Sequence, residues 1–381
     1  MIQLQVAKQE TTKQRAWKKL DTSILMQSLR DSGVFNPDQD LRTNEDLDRK
    51  VAQIHTAYLQ AIDKSVPWTN PSKFANSFWT PECTEAVHYT RQLRNTRPGS
   101  QEYKNAVQTK RKVVRTTKTL YFRSKIHEAT EDAKGIWRLA KWARTKSHIP
   151  PPIPQFPDLT TLHGIATTFQ ERAQALQHQF FPKPLEPDLS DQEGYEYPEP
   201  FVREPITIDD VKQAIKAPHP LKAPGITGIP HLIIQESLGI TAPTITRLFQ
   251  ACIDQGYHPK EFKQARTIAL QKPGKDDYTL PGSYQPIALL ECLGKALERI
   301  IATKLAALAE SYELLLQYQM GARRQRGTLT TLELLTEQIH TVWNSGNQHV
   351  ASLLSLDIAG AFDNASHAWL IHILKRLWVP D

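Results

Sequence analysis

Asp357 closes a compact apolar run, Ala351-Ser352-Leu353-Leu354-Ser355-Leu356, and Ile358-Ala359-Gly360-Ala361 then lets the backbone turn closely before Phe362 and Asp363. A run that short, ended by a polar residue, suits a buried strand better than a helix. A carboxylate at the end of such a strand can face a cleft, and it can equally cap the turn that follows. Three sets of cations are placed to meet phosphates. Gln271-Lys272-Pro273-Gly274-Lys275 puts two lysines at the tip of a turn, a shape that can lie over a nucleotide's phosphates. Arg323 and Arg326 stand in a loop before Thr328. That loop is either a basic surface cap on the next helix or a site where the planar guanidinium fork holds a triphosphate or a nucleic-acid backbone. Arg111, Lys112, Arg115, Lys118 and Arg123 belong to a long basic stretch, 84–146, in which Tyr121, Phe122, Trp137 and Trp142 are interleaved. It reads equally as a solvated helical hairpin with its aromatics packed inward and as a surface that follows a phosphate backbone and releases counterions.

Elements that would position these groups follow from periodicity. Leu47, Val51, Ile54, Tyr58 and Ile62 recur at helical spacing after Thr43-Asn44-Glu45-Asp46, which predicts an amphipathic helix with a capped start. Residues 84–146 predict long helices. Ile165, Phe169, Ala173, Leu176 and Phe180 predict another, and a further helix starts at Thr207-Ile208-Asp209-Asp210 with acids in its first turn. Two glycines and two prolines in 222–230 predict a tight loop. Two helices are expected around 232–236 and 245–255. The alternating segments Ala265-Arg266-Thr267-Ile268-Ala269-Leu270 and Ser283 to Leu290 predict a strand pair around the lysine turn, where Asp276 and Asp277 read as turn formers. Leu297, Ile300, Ile301, Leu305 and Leu308 line an amphipathic helix, and Leu332, Leu335, Ile339 and Val342 another.

Taken in order, Lys222-Ala223-Pro224-Gly225-Ile226-Thr227-Gly228-Ile229-Pro230, Lys272-Pro273-Gly274-Lys275, Ser283-Tyr284-Gln285-Pro286-Ile287, the stretch from Gln319 to Thr328, and the string from Asp357 to Asp363 resemble the reverse transcriptases of retrotransposons without long terminal repeats. An element of the fungal type is expected. The resemblance covers roughly 205–379, and 84–148 is similar, more loosely, to the basic segment before the polymerase domain. It implies that Asp357 is catalytic and binds magnesium, that Phe362 blocks a ribose 2′-hydroxyl, and that Lys272, Arg323 and Arg326 help bind the nucleotide. It further implies an RNA template, a DNA primer and deoxynucleoside triphosphates as partners, and a nuclear location. Asp363 more readily orders the helix start. Three positions depart from the family pattern: Thr227 stands where Asp is usual, Gln285 where Arg is usual, and Gly327 where Ser is usual.

Fold class is therefore expected to be α+β: a mainly helical N-terminal region, then the fingers and first palm strand of a right-hand polymerase. The expected division is a basic helical linker at 1–148, a proline-rich and acidic connector with one helix at 149–204, and a partial polymerase domain at 205–381. No Tyr/Phe-x-Asp-Asp string follows Asp357, so the remaining palm and the thumb are expected to be missing, as is an upstream endonuclease. The expectation for these 381 residues is binding to nucleic acid without polymerisation; a non-catalytic binding protein and the product of a decayed element are the alternatives. The net charge of +7 agrees with a polyanionic partner. Three scattered cysteines, Cys83, Cys252 and Cys292, exclude a disulfide framework and point to a reducing, intracellular compartment. No apolar run is long enough to span a membrane.

Overall fold

The computed structural model describes residues 13–37, 40–69, 76–131, 135–137, 139–140, 156–162, 164–182, 187–345, 349–358, 361 and 365–380. Phe362 and Asp363, the Ile149 to Pro154 spacer and Trp142 lie outside the described residues. The chain divides into two compact units, Met1–Ala16 with Trp68–Phe156, and Trp17–Pro67 with Pro157–Asp381.

In the first unit a short antiparallel pair joins β1 (Gln14–Arg15) and β2 (Trp68–Thr69), with the Arg15 guanidinium 3.8 Å from the Trp68 ring. Its body is a helical hairpin of α3 (Pro81–Thr96) and α4 (Gln101–Thr130). α3 starts on a proline, whose missing N–H costs nothing there, and α4 on Ser100, whose side chain accepts the Tyr103 N–H. The helices run antiparallel. Thr90 Oγ1 donates to the Ala106 carbonyl at 3.3 Å, Cys83 lies against Thr117, and the Phe78 and Phe122 rings are 6.4 Å apart.

In the second unit the core is formed by α1 (Thr22–Asp31), α2 (Asn44–Ser65), α6 (Ile208–Lys216), α7 (His231–Asp254) and α8 (Cys292–Ser311). α2 carries the expected capping box, Thr43 with Asp46, and α6 repeats it with Thr207 and Asp210. Leu47, Val51, Ile54, Tyr58 and Ile62 are all buried in this core. Specific bonds fix α2 there: Tyr58 OH with Ser237 Oγ at 3.1 Å, Asp48 with Tyr257 OH and the Lys260 N–H, each at 2.9 Å, and His55 with Glu261. Residues 17–67 thus share a core with 206–300, a different division from the boundary expected at 148. The apolar stripe of α2 gave no sign of its partner, because any apolar face would satisfy it.

Two further differences concern local structure. Residues 231–254 form one continuous helix, not two, and Pro243 sits inside it. Buried residues Ser237, Leu238, Thr241, Ala242, Thr244 and Ile245 carry the helix past the proline, so packing overrides the local penalty. Ile165 belongs to a small hairpin, β3 (Leu159–Thr161) with β4 (Gly164–Ala166), and the following helix α5 spans Phe169–Phe180. The connector is not bare: Phe201 stacks on Tyr312 with centroids 3.7 Å apart, and Tyr197 OH bonds His372 Nδ1 at 2.8 Å on α10 (His367–Arg376). β5 (Ala265–Gln271) and β6 (Tyr284–Leu290) pair antiparallel from Ala265 opposite Leu290 to Gln271 opposite Tyr284, as the alternation predicts.

Candidate nucleotide and nucleic-acid sites

The loop 222–230 is held by a buried carboxylate. Glu291, at the junction of β6 and α8, accepts the Thr227 N–H at 2.8 Å on Oε1 and the Thr227 hydroxyl at 2.5 Å on Oε2. Gly225 lies so close that a Cβ there would stand 2.6 Å from Glu291 Oε1 and 2.7 Å from its backbone nitrogen. Beside it, Cys292 Sγ accepts the backbone N–H groups of His231 and Gly225, and burial pushes its thiol up to about 11. This cysteine is therefore a packed acceptor and not a nucleophile. Glu291 was not singled out by the sequence. Its signal was a lone acid between Leu290 and Cys292 in an otherwise apolar strand-to-helix junction.

His231 opens α7 and is buried. Burial, with the charges of Lys295, Arg299 and Lys222, pushes its pKa down from 6.5 to about 4. The folded state therefore refuses a proton that the unfolded chain accepts below pH 6.5, so this contribution to stability is complete above pH 6.5 and is lost as pH falls toward 4. The expected loss from His231 alone is ~2 kcal/mol at pH 5 relative to pH 7. Urea unfolding of His231→Gln at the two pH values checks it; an equally steep dependence in that variant rejects the assignment.

The turn between β5 and β6 is built from its own side chains. Asp277 Oδ1 accepts the Thr279 N–H and hydroxyl at 2.8 and 2.7 Å, which lowers its pKa, and Gly274 takes a positive φ of 73°. Asp277 is thus a turn former, as expected. The Lys272 ammonium reaches back to the Gly282 carbonyl at 3.1 Å, whereas Lys275 is exposed at the tip. Gln285 pairs opposite Leu270 on the exposed side of the sheet.

Arg323 is fully engaged. Its Nε and Nη2 donate to Glu310 Oε1 and Oε2 at 2.7 and 2.6 Å, and Nη1 donates to the Leu316 carbonyl at 2.9 Å. The fork raises the Arg323 pKa and lowers that of Glu310. Arg326 donates to the Gln317 carbonyl. Ala322 and Gln325 adopt left-handed backbone, φ 59° and 60°, inside a loop that these bonds fasten. Arg323 thus acts in this conformation as a tie between α8 and the loop before α9 (Thr328–Asn344). Arg324 is exposed.

Asp357 departs most from expectation. Residues 350–358 form no strand, and Leu353, Leu354 and Leu356 are 71, 81 and 83% exposed. Among the described residues the six strands pair off as three two-stranded sheets, leaving none beside this run. A lone strand leaves its N–H and C=O groups without a ladder, so the backbone stays solvated and the side chains have nothing to bury against. Phe362 lies outside the described residues.

In the first unit Arg111, Lys112, Arg115, Lys118 and Arg123 are all exposed on α4. None of the five forms an ion pair with a described residue; the acids of that helix, Glu102 and Glu128, pair with Arg97 and Lys125. The aromatics of α4 do something else. Tyr121 and Phe122 meet edge to face at 5.3 Å, and Phe122 faces Phe78.

Those motifs find counterparts in known proteins. Residues 270–381 match the family described as reverse transcriptase (RNA-dependent DNA polymerase), and the chain carries part of such a domain. Proteins similar to it include ones named as RNA-directed DNA polymerases of mobile elements and as Pol polyproteins of type-1 retrotransposable elements. It is 33% identical over 181 residues to the RNA-directed DNA polymerase from mobile element jockey of Drosophila melanogaster, covering 46% of this chain and 19% of that one. It is 31% identical over 178 residues to the Pol polyprotein of the type-1 element R2 of Popillia japonica, and 27% over 213 residues to that of R1 of Bradysia coprophila. The chain spans about a fifth of the length of these relatives, 19, 23 and 20%. All three come from insects and lend no support to the fungal-type expectation. Among the described residues no helix is long and apolar enough to cross a membrane.

Proposed function

We propose that this chain supplies the basic linker, the fingers and the start of the palm to an RNA-directed DNA polymerase of a non-LTR retrotransposon, acting in the nucleus on an RNA template, a DNA primer and deoxynucleoside triphosphates. The observation that carries the proposal is the ordered set of motifs from Lys222 to Asp363 within and just before the matched segment. Lys272, Arg323, Arg326 and Phe362 are the nucleotide-binding candidates. Lys275 and Arg324 are better placed than Lys272 and Arg323 to reach a phosphate without breaking an existing bond. Magnesium would be held by the Asp357 carboxylate and the Ile358 carbonyl. Those donors fit an ion that takes one or two carboxylates and completes its shell with water and substrate phosphates. When bound, the ion supplies positive charge to the reacting phosphate.

A second reading, a nucleic-acid binding protein without catalysis, is favoured by the exposed cations of α4 that form no ion pair with a described residue. Both readings require binding to the first unit. The full chain is expected to bind RNA and DNA at low salt and to lose about two to three orders of magnitude in affinity between 50 and 200 mM salt, if α4 neutralises about five phosphates. Anisotropy titrations over that range measure it. No binding at 50 mM salt, or binding indifferent to salt, removes the linker from the proposal.

A further inference from the structure

We propose that the exposed side of α4 is a docking surface for double-stranded nucleic acid, read through its phosphates alone, and not for single strands; this rests on the nucleic-acid reading above. Three observations lead there. The exposed residues of α4 include Lys104, Arg111, Lys112, Arg115, Lys118 and Arg123, and no Phe, Tyr or Trp ring is among them; the one exposed ring, the His127 imidazole, lies in the last turn, beyond the cations. Lys104, Arg111, Arg115 and Lys118 follow one another at intervals of seven, four and three residues, so they form one row along the helix. At 1.5 Å of rise per residue that row is ~21 Å long. Two of the rings that sequence placed among these charges are spent on the hairpin itself: Phe122 and Tyr121 pack on each other, and Phe78 lies near both Phe122 and the Lys118 ammonium, 5.9 Å from its ring, whereas Trp137, beyond the end of α4, is exposed.

Proteins that hold single strands combine a basic groove with aromatic platforms on which bases stack, at ~1–3 kcal/mol per base. α4 offers the charge without the platform. A single strand laid along it would lose conformational freedom and gain no stacking. A duplex presents about one charge per 1.7 Å in a fixed geometry, twice the linear density of one strand, and a stiff row of cations meets it without ordering either partner. Because every contact is to phosphate, the surface carries no base sequence preference.

The test uses the full chain and two probes of equal length, a 20-base-pair duplex and an unstructured pyrimidine single strand, titrated by fluorescence anisotropy at several salt concentrations. The duplex is expected to bind about tenfold more tightly or better, with the slope of log affinity against log salt near −4. Arg111→Ala, Arg115→Ala and Lys118→Ala together should reduce that slope by about three and abolish the duplex preference. The three residues are exposed and free of ion pairs with described residues, so thermal melts of the variant should match the parent; a single replacement, Arg115→Ala, with a slope reduced by about one serves if the triple variant does not fold. Equal or tighter binding of the single strand overturns the inference and leaves nucleic-acid binding standing. An unchanged duplex slope in the folded variant also overturns it. Absence of binding to both probes overturns the inference together with the reading it rests on.

Discussion

Replacing Thr227 with Asp is expected to destabilise the second unit by about 2–4 kcal/mol at pH 7, with the penalty shrinking as pH falls toward 5. This substitution installs the residue that the family pattern has at the position, so a naive reading expects improvement. Here the Thr227 hydroxyl donates to Glu291 Oε2 at 2.5 Å and its N–H donates to Oε1 at 2.8 Å. An ionised Asp has no donor, and its carboxylate would replace the hydroxyl against a second carboxylate that is almost completely buried. Two carboxylates in one site cannot both ionise cheaply, so the pair takes up a proton and the difference from the parent narrows in acid. The loop cannot easily swing away, because Gly225 already lies against Glu291 more closely than any Cβ would allow. Thr227→Val separates the terms: it removes the donor without adding charge and should cost about 1–2 kcal/mol at either pH. Urea unfolding of the parent and both variants at pH 7 and 5 reads the difference directly. A Thr227→Asp protein as stable as the parent at pH 7 would mean that Glu291 does not clamp this loop.

The Glu291 clamp marks where sequence reasoning stops. Periodicity made α2, α6 and the β5–β6 pair legible, since each rests on short-range signals: Thr43 with Asp46, Thr207 with Asp210, and alternation around a Gly-containing turn. The motif order made the polymerase resemblance legible. What escaped were contacts between residues far apart in sequence. Thr227 with Glu291, Tyr197 with His372 and Tyr58 with Ser237 are ordinary polar residues whose partners no local pattern names. Arg323 shows the same limit from the other side. Its place in a basic loop suggested phosphate binding, yet Glu310, thirteen positions upstream, supplies a bidentate partner within the chain. Continuity of α7 through Pro243 is a third case, in which burial of the surrounding turns outweighs a residue that usually ends helices. Residue types and order thus nominated the candidate site, and they did not tell which of its cations are already engaged within the chain.

The 381-residue polypeptide by itself is expected not to extend a primer. Two-metal nucleotidyl transfer needs carboxylates converging from two places to hold ions about 3.5–4 Å apart. Asp357 offers one carboxylate, carried on an exposed stretch without strand pairing. The resemblance assigns the second pair to a Tyr/Phe-x-Asp-Asp hairpin, and no such string follows Asp357 in these residues. Among the described residues no group of three or more His, Cys, Asp or Glu side chains stands close enough to hold a metal. A single carboxylate with a neighbouring carbonyl binds magnesium weakly, because the ion gives up its waters only where several ligands and phosphates converge. The primer's 3′-hydroxyl then has nothing to lower its pKa, and the developing charge has nothing to meet it. Joining a segment that carries such a hairpin should change two things at once: strands would pair with 350–357, burying Leu353, Leu354 and Leu356, and Asp357 would be fixed opposite its partners. A primer-extension assay with an RNA template and magnesium or manganese decides the matter. Extension by the 381-residue polypeptide that disappears in Asp357→Asn would mean that the second set of metal ligands lies within these residues after all.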